Sequence, residues 1–180
     1  MCNSRRVLSD LNGDWHAKVL FVAEAPGRLG AEKTGIPLFG DRTGDRFEEL
    51  LQKMNLRRGE VFITNAVLCN PRDHDGNNDT PTKNEIANCS AFLLRTIELV
   101  SPRVVIALGR TALHALSLIV PHRLTLKDSV GTLTSWSTFK LGVLYHPGPR
   151  TAVHRTWEKQ LEDASNMAIA VAGFSGAERD

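Results

Sequence analysis

The sequence predicts an α/β fold: a three-layer α/β/α arrangement on a central, mostly parallel four-stranded sheet. Two observations carry that expectation. Short apolar runs rich in β-branched residues alternate along the chain with longer stretches of helical periodicity, the pattern of a parallel sheet with helices on both faces. The runs are also apolar throughout rather than at every second residue, as suits strands covered on both sides.

The elements follow in order. KVLFVAEAP (18–26) is the first strand. DRFEELLQKM (45–54) comes next, with Phe47, Leu50, Leu51 and Met54 at i, i+3, i+4 and i+7 forming the buried stripe of a helix. VFITNAVL (61–68) is the second strand. A longer helix is expected over 81–100, with Thr80 as its N-cap and Pro81 at its first position. Its inner face reads Ile86, Cys89 or Ser90, Leu93, Ile97 and Val100. RVVIALG (103–109) is the third strand, and another helix follows Gly109. Residues 121–140 are weakly patterned and suit a short hairpin or edge strand. LGVLYHP (141–147) is the fourth strand, and a last helix covers about 153–170. With no internal repeat, low-complexity tract or linker, residues 1–180 read as a single domain.

Composition narrows the class. The hydrophobic share of 42% and charged share of 23% are ordinary for a globular protein. A net charge of +2 does not by itself demand a polyanionic partner. The apolar runs fall far short of the roughly 20 residues that span a bilayer. No basic-then-apolar leader precedes the first strand, so a cytoplasmic protein with no membrane attachment is expected, acting as a monomer. Cys2, Cys69 and Cys89 are odd in number and widely spaced, which suits a reducing compartment better than a disulfide framework.

The strand ends carry the chemistry. In open α/β sheets, ligands bind outside the carboxyl ends of the strands. Those ends read Glu24-Ala25-Pro26-Gly27, Asn65, Gly109-Arg110-Thr111 and His146-Pro147-Gly148-Pro149-Arg150, so a carboxylate, an amide and an imidazole are expected at one edge. Each has an ordinary alternative: Glu24 as a solvated turn residue, Asn65 as a strand cap, His146 as a satisfied core histidine. The turn APGRLG lacks the G-x-G-x-x-G spacing of a dinucleotide site, and Pro26 removes an N–H that such a site would use.

These residues resemble a known family. VLFVAEAPGRLGAEKTGIPLFGDRTGDRFEELL, VFITNAVLCNP, TPTKNEIANCSAFLLRTIELVSPRVVIALGRTAL and YHPGPR are similar, in that order, to the motif blocks of the uracil-DNA glycosylase superfamily, most like its iron–sulfur families 4 and 5. The last block has Gly148 where the family has serine. The resemblance implies a monofunctional enzyme that flips uracil out of DNA and hydrolyses its N-glycosidic bond. It implies Glu24 and His146 as catalytic groups, the first acting on water and the sugar cation, the second donating to the uracil oxygen that gains charge. It implies a base pocket from Ala25, Pro26, Gly27 and Asn65, with Leu38 or Phe39 stacking on the base. Phe39 is favoured, because an aromatic face supplies stacking.

By the same resemblance the rigid loop Gly148-Pro149-Arg150 enters the duplex, with Arg150 near the wedge position and Arg110 among the DNA-binding residues. Arg28, Arg42, Arg46, Arg72 and Arg155 fall in or near other loops and could add a phosphate-binding patch. A 4Fe–4S cluster is implied too, on Cys2, Cys69 and Cys89, with the fourth ligand open between His16, His74 and a residue not in this sequence. The alternative for Cys69 and Cys89 is structural burial. A non-catalytic member of the fold, or one acting on hypoxanthine or xanthine, is the other functional reading.

Overall fold

A computed structural model describes residues 5–175. The sheet has five strands, β1 (Val19–Ala23), β2 (Val61–Asn65), β3 (Val104–Leu108), β4 (Leu133–Trp136) and β5 (Phe139–Leu144), in the order β2-β1-β3-β5-β4. All neighbours are parallel except β4, which pairs antiparallel with β5. The expected four strands are thus corrected to five. The extra one is the edge strand in the weakly patterned segment: only Trp136 of its four residues is buried, so it never shows the apolar run of a central strand.

Alternate residues of the inner strands feed two cores. Leu20, Val22, Phe62, Val105, Ala107, Leu141 and Val143 pack with α3 (Lys83–Val100) and α4 (Arg110–Ile119). Val19, Phe21, Val61, Ile63, Val104, Ile106 and Leu144 pack with α2 (Arg42–Lys53) and α6 (Trp157–Ser175). Helices therefore cover both faces, which is why the strands read as continuously apolar. Two one-turn helices, α1 (Ala31–Thr34) and α5 (Leu126–Ser129), lie in connections.

Helix boundaries differ from expectation at three places. The stripe Phe47, Leu50, Leu51 and Met54 is buried as the periodicity predicts, but α2 begins earlier, at Arg42, capped by Asp41. The cap of α3 is Thr82, not Thr80. Its hydroxyl accepts from Glu85 N–H while the Glu85 carboxylate accepts from Thr82 N–H, a reciprocal capping box that Thr80-Pro81 cannot form. The inner face of α3 is Ile86, Leu93, Thr96, Ile97 and Val100, with Cys89 and Ser90 half-buried at its margin. After His146 the chain makes a 3-10 turn, Pro149–Val153, before α6 starts at Trp157. No helix among the described residues is long and apolar enough to cross a membrane.

The strand order places a switch point between β1 and β3. From β1 the chain goes to β2 on one side, and the next strand, β3, lies on the other. The loops after β1 and β3 diverge there and leave a crevice at the carboxyl edge.

Candidate active site

A cavity of about 570 Å3 opens at that edge. Glu24, Ala25, Pro26 and Gly27 line it directly after β1, and His146, Gly148, Pro149 and Arg150 line it just after β5. Leu38, Phe39 and Asp41 supply a further wall. Residues more than a hundred positions apart in sequence therefore share one site.

His146 is oriented by its own loop. The Gly148 N–H donates to Nδ1 at 3.0 Å. Nδ1 is thus the acceptor nitrogen, and the neutral ring carries its proton on Nε2. The arrangement depends on two glycines: a Cβ on Gly148 would lie 2.9 Å from Nδ1, and one on Gly109 would lie 3.3 Å from the His146 Cβ. Burial pushes the imidazole below its ordinary value, with the carboxylates of Glu24 and Asp41 pulling the other way. Burial is the larger effect, so the ring is neutral at neutral pH.

Glu24 is held from the neighbouring strand. The Thr111 hydroxyl, in the first turn of α4, donates to its Oε2 at 2.5 Å. Gly109 is the N-cap of that helix and supplies no side-chain cap. Asp41 caps α2 by accepting from Gly44 N–H at 3.0 Å and also lines the cavity.

Asn65 ends β2 in register with Ala23, one residue before Glu24. It is 2% exposed and is not among the residues lining the cavity. Among the described residues its Nδ2 has no hydrogen-bond partner. The structure thus brings Glu24 and His146 together at the cavity wall, with Asn65 buried at the adjoining strand end.

A sequence profile of the uracil DNA glycosylase superfamily matches residues 11–169. The chain belongs to the uracil-DNA glycosylase superfamily. It is 45% identical over 101 residues to the type-4 uracil-DNA glycosylase of Thermotoga maritima, a match covering 56% of this chain and 50% of that protein. It is 34% identical over 140 residues to the type-4 enzyme of Archaeoglobus fulgidus, covering 75% and 67%. It is 30% identical over 175 residues to the type-5 uracil-DNA glycosylase of Pyrobaculum aerophilum, covering 89% and 75%. The match to the Thermotoga protein thus spans half of that relative's length.

Other expected site residues of this superfamily member fall in different places. Arg110 is exposed and does not line the cavity. Arg72 is spent on Glu32 through two contacts of 2.8 Å, Arg155 on Asp163, and Arg46 stacks over Trp157 at 4.8 Å. These three are thus engaged within the fold. Arg28, Arg42, Arg110 and Arg150 form no ion pair among the described residues.

Among the described residues the donor set falls short of a four-thiolate cluster. The sequence holds three cysteines. Cys2 lies outside the described residues, and Cys69 and Cys89 are half-buried thiols against the α3–α4 core. No group of three or more His, Cys, Asp or Glu among the described residues is placed to hold a metal. His16 and His74 are accordingly not drawn into such a group.

Some site residues were not marked in the sequence. Asp41 had a signal, an Asp just before an amphipathic run, which reads as an N-cap. The loop after Cys69 had less. Residues 71–79 fold back on themselves, and Asn78 Oδ1 accepts from both Arg28 N–H and Asn70 Nδ2 at 2.9 Å. Asn70 completes this second wall, and its Nδ2 also donates to Glu32 Oε2 at 3.1 Å. Its partners are up to 50 residues apart, so no local pattern announces it.

Proposed function

We propose that this chain is a monofunctional uracil-DNA glycosylase: one domain that accepts an extrahelical uracil into its cavity and hydrolyses the N-glycosidic bond, leaving an abasic site. The observation that carries this reading is the fixed tautomer of His146. With Nδ1 occupied by Gly148 N–H, a neutral imidazole has one proton left to donate, on Nε2. A donor is what a leaving uracil needs, because negative charge gathers on its oxygen as the bond from N1 to C1′ breaks. The sugar becomes cationic in the same step. Glu24, held at Oε2 by Thr111, faces that charge and offers Oε1 to the water that adds at C1′. The proton the water sheds balances the uracil anion. Among the described residues no lysine lines the cavity to form an imine with the abasic sugar.

Specificity comes from Asn65 in this reading. A buried amide donor without a partner costs about 1–3 kcal/mol. A base edge reaching Nδ2 with an acceptor removes that cost. Uracil offers O4 there and N3–H to the amide oxygen, whereas cytosine offers an amino group to the donor. Phe39, 44% exposed at the cavity wall, is the stacking ring, and Leu38, 8% exposed, packs behind it. The cluster of the iron–sulfur families stays outside this mechanism, since Cys69 and Cys89 supply two of the four thiolates it takes.

The test is a single-turnover assay on an oligonucleotide with one uracil, read as strand cleavage after alkali. Abasic product from uracil and not from cytosine is expected, and Glu24→Ala should lower the rate by about a hundredfold or more with the fold intact. Tight binding of the uracil strand without any abasic product would sink the catalytic reading and leave a damage-binding protein.

A further inference from the structure

The wall that carries Phe39 is held from behind by a residue that does not line the cavity. We propose that Arg58 is the positioning residue of this base-stacking wall, fixing the 37–39 backbone so that the Phe39 ring is presented to the base. The proposal rests on the reading in which Phe39 stacks on uracil.

Arg58 opens the short 3-10 turn that precedes β2. Each of its three nitrogens donates a hydrogen bond. Nη1 donates to Pro37 carbonyl oxygen at 2.9 Å, Nη2 to that of Leu38 at 2.7 Å, and Nε to Glu48 Oε1 on α2 at 2.5 Å. The guanidinium carbon also stands 5.7 Å from the centre of the Phe39 ring and 5.4 Å from that of Phe47. One planar cation thus binds two successive carbonyls, a carboxylate and two aromatic rings.

The loop needs such a holder. Leu38 has φ +49°, a left-handed conformation that a branched side chain rarely adopts and that persists only where its surroundings impose it. Two glycines let the backbone nest. A Cβ on Gly44 would lie 2.8 Å from Leu38 O and Phe39 Cα, and one on Gly30 would lie 2.7 Å from Phe39 O. Glycines make room but exert no pull. The pull comes from Arg58, and its effect is to turn Leu38 inward and Phe39 outward. Only guanidinium has the geometry to reach both carbonyls and Glu48 together; an ammonium is a point donor.

A residue that merely tied β2 to α2 would affect every activity alike. A positioning residue for a stacking ring acts only where there is a base to stack on. The experiment compares wild type, Phe39→Ala, Arg58→Met, Arg58→Lys and the Phe39→Ala/Arg58→Met double variant. Single-turnover excision is measured on a uracil duplex, and equilibrium binding on a duplex carrying a stable abasic analogue. Phe39→Ala should slow excision by about five- to hundredfold, the range for losing one base–aromatic stack. Arg58→Met should fall in the same range, Arg58→Lys between it and wild type, and the double variant should be no slower than Phe39→Ala. Binding to the abasic duplex should stay within about twofold, because no base is present to stack.

Multiplying losses in the double variant, or weakened abasic binding for Arg58→Met, would overturn the proposal and leave Arg58 as a structural tie. An unaffected Phe39→Ala would instead overturn the stacking reading beneath it. If Arg58→Met does not fold, Arg58→Lys with its own double variant carries the same comparison, since it keeps the charge and loses only the fork.

Discussion

At the scale of single residues, the site separates a proton donor from a carboxylate by giving each a different holder. His146 is fixed by its own loop and Glu24 by Thr111 across the sheet. His146→Ala should lower the single-turnover rate by about a hundred- to a thousandfold, the worth of a donor whose value peaks as charge develops, and change duplex binding little. An intact rate would remove His146 from the mechanism. Thr111→Val keeps the shape of the residue and deletes the hydroxyl. Excision should slow by about tenfold, because Glu24 loses the bond that orients it, and Thr111→Ser should restore most of the rate; equal loss in both variants would mean that packing, not the hydroxyl, matters. The strand-end positions of Glu24, Asn65 and His146 were legible in the sequence, because each follows an apolar run that marks its strand. Thr111, Asp41 and Arg58 were not, because their roles lie in contacts to residues 87, 3 and about 20 positions away, and only the shortest of these leaves a local pattern.

Elements show the same division between local and distant signals. The α2 stripe and the inner strands were legible, since burial on one face or both writes a period into the sequence. β4 was not: its pattern is one buried residue in four, and its place is set by pairing with β5 and by Trp136, whose Nε1–H donates to Val120 O at 2.9 Å. The start of α3 was legible to within two residues. Both Thr80 and Thr82 are good caps by type, and Glu85 three residues after Thr82 decides between them. Thr82→Ala should therefore cost about 1 kcal/mol of stability, and Thr80→Ala much less. Urea denaturation of both variants checks this, and the reverse order of costs would return the cap to Thr80.

For the whole molecule, charge distribution matters more than net charge. If the chain binds a duplex as proposed, a total of +2 leaves the affinity to local cations, and Arg150 is the arginine that lines the cavity among the described residues. Of the arginines the sequence offered, three are neutralised or stacked within the fold, and Arg150, at the cavity rim in the turn after His146, is one that is not. Each phosphate contact contributes about 0.9 to the slope of log K against log salt on duplex DNA. If Arg150 bonds one phosphate, Arg150→Ala should reduce that slope by about one and weaken binding evenly across sequences. If it also fills the gap left by the flipped base, the loss in excision rate should be larger on a duplex than on a single strand, because a single strand needs no unpairing. The two roles are read separately, the first from binding at several salt concentrations, the second from single-turnover rates on the two substrates. An unchanged slope with a duplex-selective loss makes Arg150 a wedge alone. A lowered slope with equal losses on both substrates makes it a phosphate contact alone, and no change in either removes the turn after His146 from DNA recognition.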